Sequence, residues 1–555
     1  MSAAIERFFE HYYRRRPVNA TFTGVHSYDG ELPDWSGDGI RATDMEMRAL
    51  IADLAASHPP PASAAAFARN AEALDAQLAG AFLEIQLAEN AGTHGVRGNP
   101  SLWTGEAVFS VISLMIRDFM PLADRYESAV SRLEAIPSFL ASARGTLSLP
   151  SPAAWTSRAR RECEGAAILL SGGVEKWLDA GTPSSETRAQ MLSAARNAHD
   201  AFDRFSAWLA KRAPAPDAAA SCGAGHYDLL LARGHWCARS RGELLVEAHE
   251  ELALAERRLE RMACEIAGSW PAAQEELAAG HPAPGAYLGA FQRTWNACRE
   301  RAESRDVVTW SAWPIRYVTY PEWTAEAAPY LYYLFYRSPA PFDRFDVYDY
   351  VVPALPRGKE EAHLRAWNDA VIKLNHVVHH GAIGHHVQNW HAAHRAASRV
   401  GKVAAVDCAS RLAMFCAGTM AEGWACYATA LMEELDFLSP LERLSEAHSR
   451  VRFLARAIVD IEVHQGSMSV DDAVGFWVRH VGGSADAARN EATKASMFPC
   501  TAVIYWLGSR DIRELRDAMQ AKRGAAFSLR SFHDELLGFG SIPVPLVARI
   551  MREGE

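Results

Sequence analysis

Residues 71–91 read Ala71-Glu72-Ala73-Leu74-Asp75-Ala76-Gln77-Leu78-Ala79-Gly80-Ala81-Phe82-Leu83-Glu84-Ile85-Gln86-Leu87-Ala88-Glu89-Asn90-Ala91. Strong helix formers fill the stretch and its large apolar residues recur at helical spacing, so it is expected to be an amphipathic helix. The same pattern returns over Glu186 to Lys211 and Glu243 to Ile266. The fold class read from these segments is mainly α. Breakers fall at His58-Pro59-Pro60-Pro61, Leu149-Pro150-Ser151-Pro152, Arg212-Ala213-Pro214-Ala215-Pro216 and His281-Pro282-Ala283-Pro284-Gly285. Each is short and followed at once by helical pattern, which marks connections between helices.

Between about Asp306 and Tyr350 the character changes. Trp310, Trp313, Tyr317, Tyr320, Trp323, Tyr330, Tyr332, Tyr333, Phe335 and Tyr336 crowd a proline-punctuated stretch. Alternation in Ile315-Arg316-Tyr317-Val318-Thr319-Tyr320 predicts a short strand, a small β element in the helical chain. The aromatic density suits either a cleft wall or a core between helical lobes. A chain of 555 residues, 49% of them hydrophobic, is long enough for two lobes. The expected division is 1–305 and 306–555.

The balance of 57 basic against 67 acidic residues is mildly acidic, without long runs of one sign. Nucleic acid and anionic membranes are therefore not expected partners, and small-molecule or peptide chemistry remains. Met1-Ser2-Ala3-Ala4-Ile5-Glu6-Arg7 runs straight into an amphipathic segment, and no stretch approaches about 20 apolar residues. The expectation is a cytoplasmic protein. The nine cysteines are scattered without a Cys-x-x-Cys pair, as reduced core thiols would be. Cys222, His226, His235 and Cys237 lie close in sequence, but their spacing matches no common zinc module.

Chemistry is concentrated in His379-His380-Gly381-Ala382-Ile383-Gly384-His385-His386 and, downstream, Glu422-Gly423-Trp424-Ala425. Histidines with a distant carboxylate suit a catalytic zinc site. On a regular helix, partners for His379 would stand three or four residues on, where Ala382 and Ile383 cannot bind metal. His379 and His386 on one unbroken helix would lie about 10 Å apart along the axis, too far for one zinc. Gly381 and Gly384 permit a bulge or extra turn that shortens this distance, so that either His385 or His386 could be the second ligand. His376 and His380, four apart, form a competing pair. A helix expected to begin near Leu412 carries Glu422 among small and apolar residues, where a carboxylate needs a cation or donors to remain ionised.

These motifs resemble those of the bacterial domain-of-unknown-function family 885, metallopeptidase-like proteins with His-Glu-x-x-Pro-Gly-His-His-x-Gln followed by Glu-Gly-Trp-Ala. Further similar stretches are Pro17-Val18-Asn19-Ala20-Thr21, Leu32-Pro33-Asp34, Val459 to Gly466, and Phe532-His533-Asp534 through Leu546. The resemblance implies a two-lobed helical cleft like that of gluzincin peptidases, with zinc on His379, one of His385 and His386, and Glu422. The family segment Pro-Gly-Gln-Ala-x-x-Tyr-Lys-x-Gly is matched by Pro499 to Gly508, and its tyrosine, Tyr505, would donate to an oxyanion. His464 and Arg456 are further candidates on a preceding helix.

The departures gather at the site: His380 replaces the family glutamate, Ile383 the proline, Cys500-Thr501 the Gly-Gln pair, and Trp506 the lysine. In helical zinc hydrolases that glutamate activates the attacking water. Imidazole can act as a base near neutral pH, so His380 is expected to shuttle a proton. The reading is a zinc enzyme on a peptidase-like scaffold, acting on a small amide- or carboxylate-bearing metabolite by hydrolysis, elimination, cyclisation or another Lewis-acid step. Alternatives are a non-catalytic binding protein, or an iron-dependent oxidative enzyme in which His380 joins the ligands.

Overall fold

The computed structural model describes residues 2–554 and is mainly helical, with a single two-stranded sheet among them. The helix Ala71–Ala91 has the expected bounds. Asn70 caps it by accepting the Ala73 N–H at 3.0 Å, and Leu74, Leu78, Phe82 and Ile85 are buried along it. The other two expected helices run Ser185–Leu209 and Arg241–Ala267, the second opened by a reciprocal Ser240/Glu243 capping box. The proline clusters fall where helices end, as after Ser57 and Ala279.

Ile315–Thr319 pairs in parallel with Tyr348–Val352, Ile315 opposite Tyr348. Part of the aromatic stretch is core: Trp310, Tyr317 and Tyr336 are buried together with Tyr348 and Tyr350, while Tyr332 borders the cavity. Three buried apolar cores each draw residues from both sides of residue 305. In the largest, Phe8 and Phe82 share a cluster with Trp424 and Leu546.

One boundary differs from expectation. The helix bearing Glu422 is Gly418–Glu434, preceded by a tight turn at Phe415–Ala417. Residues 407–413 are instead held as an irregular turn, because Arg337 donates to the Asp407 and Cys408 carbonyls and Ser338 to the Asp407 carboxylate. Gly418–Glu434 crosses Ile504–Arg523 almost backbone to backbone: a Cβ on Gly423 would stand 2.5 Å from Gly508 Cα. That close approach sets Glu422 and Tyr505 on facing helices.

Candidate metal centre

The first histidine-bearing segment, Ile372–Gly381, is a π-helix whose wider turn breaks at Ala382 and Gly384, after which a new α-helix begins at His385. Gly384 packs its backbone so closely on the His379 carbonyl that a Cβ there would collide, and its N–H donates to Val378 O at 2.9 Å. Trp424 pins this break by donating its indole N–H to the carbonyls of Ile383 and Gly384 at 2.9 and 3.2 Å. In Glu-Gly-Trp the three residues thus have separate tasks. The glutamate presents a carboxylate, the glycine permits the helix crossing, and the tryptophan ties the crossing to the histidine loop.

The break brings His379, His380 and His385 together, with one ring nitrogen of each within 4.8 Å of the others. Glu422 Oε2 lies 3.4 Å from His379 Nε2 and 3.7 Å from His385 Nε2. Donors on a tetrahedral zinc with bonds near 2 Å stand roughly 3.3 Å apart. Glu422 Oε2 is also buried without a hydrogen-bond partner, which a cation would supply. The residues present therefore fit a divalent metal. Burial opposes ionisation of Glu422, but the His379 and His385 imidazoles hold its carboxyl well below the usual range. Burial also pushes His379 down, and His380 well down with the help of its neighbouring imidazoles, which favours the neutral form that a ligand requires at those two positions.

His380 faces the other imidazoles and makes no close pair with Glu422. Its Nδ1–H donates to Asn375 O at 2.6 Å, which leaves Nε2 with a lone pair. Tyr505 stands in the cavity wall with Glu422, its ring stacked on Phe453 and beneath Arg456. Burial, and then the Glu422 charge, push the Tyr505 hydroxyl well up, so it is a donor at neutral pH. Arg456 is held by Glu491 at 3.0 and 2.9 Å.

Several expected residues lie elsewhere. His386 is corrected: it is fully buried, its Nε2–H donates to Trp313 O at 2.9 Å, and its Nδ1 accepts from Tyr336 at 3.2 Å, so neither nitrogen is free for a metal. His464 is likewise corrected, because Nε2–H donates to Ala495 O and Nδ1 accepts from Cys222 N–H inside a core. His376 stacks on Trp367 and bonds Tyr350, so it does not pair with His380. His235 donates to Cys500 O, and the four residues from Cys222 to Cys237 do not gather into a metal cluster.

Sequence reasoning passed over Asp460. Its carboxylate is fully buried and accepts the N–H groups of Cys500, Ala502 and Val503, each at 2.9 Å, fixing the turn that leads into Tyr505. Cys500, standing where the resembled family has glycine, keeps the left-handed backbone at φ 60°.

The chain belongs to the family described as bacterial protein of unknown function, DUF885, whose model matches residues 17–551. No match is found among curated proteins. Two similar solved structures have the same fold over nearly their whole lengths. One is described as a candidate lipoprotein of unknown function from Shewanella oneidensis, with 19% identity, TM-score 0.75, and 99% of each chain covered. The other is described as a candidate lipoprotein from Colwellia psychrerythraea, with 14% identity, TM-score 0.78, and 99% and 98% of the two chains covered. These descriptions overturn the cytoplasmic expectation, since the fold is found in proteins described as lipoproteins. Among the described residues no helix is long and apolar enough to cross a membrane.

Proposed function

We propose that the protein is a metal-dependent enzyme acting on a small amide- or carboxylate-bearing metabolite, with zinc held by His379, His385 and Glu422. The observation that carries this reading is the convergence of two imidazole nitrogens on Glu422 Oε2, an otherwise unpartnered buried oxygen at the edge of a cavity of about 200 Å³. Zinc bound there would supply Lewis-acid polarisation of a carbonyl. Tyr505 would donate its O–H to the charge that develops on the substrate oxygen. His380 Nε2 would accept the proton the reaction releases, in the place where the resembled family has a carboxylate. Hydrolysis, elimination and cyclisation all remain within reach of these groups.

A second reading has one observation in its favour: a ring nitrogen of His380 lies within 4.8 Å of those of His379 and His385. Three imidazoles with a carboxylate suit iron as well as zinc. Elemental analysis of the purified protein and its His379→Ala, His380→Ala and Glu422→Ala variants tests both. Zinc lost in the first and third but kept in the second supports the zinc reading; iron lost in all three supports the other. No metal after reconstitution overturns both and leaves a binding protein.

A further inference from the structure

The cavity lined by Glu422 and Tyr505 is lined also by Arg16, Glu106 and Arg411, whose charges act on one another. Glu106 lies in Pro100–Met115, a helix buried along its whole length in which it is the only ionisable residue. Glu106 is 8% exposed, lines the cavity, and has neither a hydrogen bond nor a close ion pair among the described residues. A carboxylate in that situation is costly unless something else completes it.

Three guanidinium groups act on Glu106 from a distance, those of Arg16, Arg132 and Arg411. Arg132 is used up on Glu31, Ser110 and Pro17 carbonyls and on the Ser113 and Thr21 hydroxyls. Arg16 is different: it lies against the Phe82 ring and spends Nη2 on Gln86, while the other N–H groups of its guanidinium have no acceptor among the described residues. Arg411 gives Nη1 to both oxygens of Glu89, at 3.0 and 3.1 Å, and keeps its other edge. One wall of the cavity thus offers unspent donors and an unspent acceptor that do not reach each other. A free anion would be repelled by Glu106, and a bare cation by Arg16 and Arg411.

We infer that this end of the cavity recognises an amino-acid zwitterion, its ammonium on Glu106 and its carboxylate on Arg16 and the free edge of Arg411. Trp35, Phe82 and Leu102, which also line the cavity, would meet the apolar part of the molecule. The ligand is an amino acid or a small metabolite ending in one, and the remainder points toward Glu422. That this ligand is the substrate rests on the metal reading; that it binds does not.

The test is therefore binding, measured by thermal shift and then calorimetry, on the full chain as purified and after chelation. The probes are the common L-amino acids, followed by the amide and the N-acetyl derivative of the one that binds best. The expected result is binding with or without metal, weakened at least about tenfold by loss of either charge from the ligand. Glu106→Gln, an isosteric change, should weaken the parent amino acid by a similar factor while keeping a cooperative melt. If no amino acid binds, if the amide and N-acetyl derivatives bind as well as the parent, or if Glu106→Gln binds unchanged, the inference is overturned. Binding to a protein that takes up no metal even on reconstitution would uphold the zwitterion site and remove the metal reading. Metal without amino-acid binding would do the reverse.

Discussion

Glu422 and Glu106 stand in the walls of one cavity, each a lone carboxylate in the buried run of an apolar helix, and their surroundings drive them in opposite directions. Around Glu422 burial is overcome by imidazoles at 3.4 and 3.7 Å, and the carboxyl is held well below its usual range. Around Glu106 burial dominates, the guanidinium groups act only from farther off, and the carboxyl is pushed up to about 7. The same sequence signature therefore has two physical outcomes. Close imidazoles hold one carboxyl down, and guanidinium groups farther off leave burial to push the other up.

The sharpest way to break the comparison is to measure the metal proposed for the Glu422 site. Glu422→Gln and His379→Ala should lose it outright, whereas Glu106→Gln should keep the wild-type content, as elemental analysis would show. With metal at about a thousand times its Kd, the native state gains about 4 kcal/mol by linkage. Chelation should lower the melting temperature of the wild type and of Glu106→Gln but leave His379→Ala unmoved. Equal metal in all of these proteins would mean that the two glutamates do not differ in the way described.

Next in size is Gly423→Ala. The added Cβ would meet Gly508 Cα at 2.5 Å, backbone against backbone, where neither helix has a side chain to swing aside. Overpacking of this kind costs about 1–3 kcal/mol, and the displaced helix carries Glu422 away from His379. Denaturant unfolding should show the loss of stability together with reduced metal content. A variant as stable and as metal-rich as the wild type would show that the crossing does not position the site.

How far the sequence could foretell these two regions follows from the range of the forces. The helix Ala71–Ala91 was legible to the residue because its cap and apolar spacing are local. So was the need for a bulge or extra turn at Gly381 and Gly384 in the histidine segment, which in the structure breaks at Ala382 and Gly384. Which of His385 and His386 faces Glu422 was not legible, because it depends on the angle at which the chain leaves a π-helix, and Tyr336 and Trp313 claim His386 from about 50 and 70 residues away. The start of the Glu422 helix was misplaced for a similar reason, since Arg337 and Ser338 hold residues 407–413 from a distant segment. Glu106 could have been found by the logic that singled out Glu422, a charge in an apolar helix. Its partners Arg16 and Arg411 could not, being ordinary arginines until the fold brings them together.

The smallest expected effect concerns Glu106 alone. Its carboxyl is raised from the ordinary range near 4.5 to about 7 by burial, so between those values the folded protein holds a proton that the unfolded chain has released. Stability from this group is complete below pH 4.5 and is lost as the pH rises through 7. Glu446 and Asp460, also raised to about 7, titrate in the same direction but do so in both proteins, and cancel in the difference. Because Gln does not titrate, Glu106→Gln should match the wild type near pH 5 and exceed it near pH 8, on the order of 1 kcal/mol, less the cost of burying an amide. Melting curves across that range measure the gap. A gap that fails to open with pH would place Glu106 in an ion pair in the ligand-free protein, and the contrast with Glu422 would disappear.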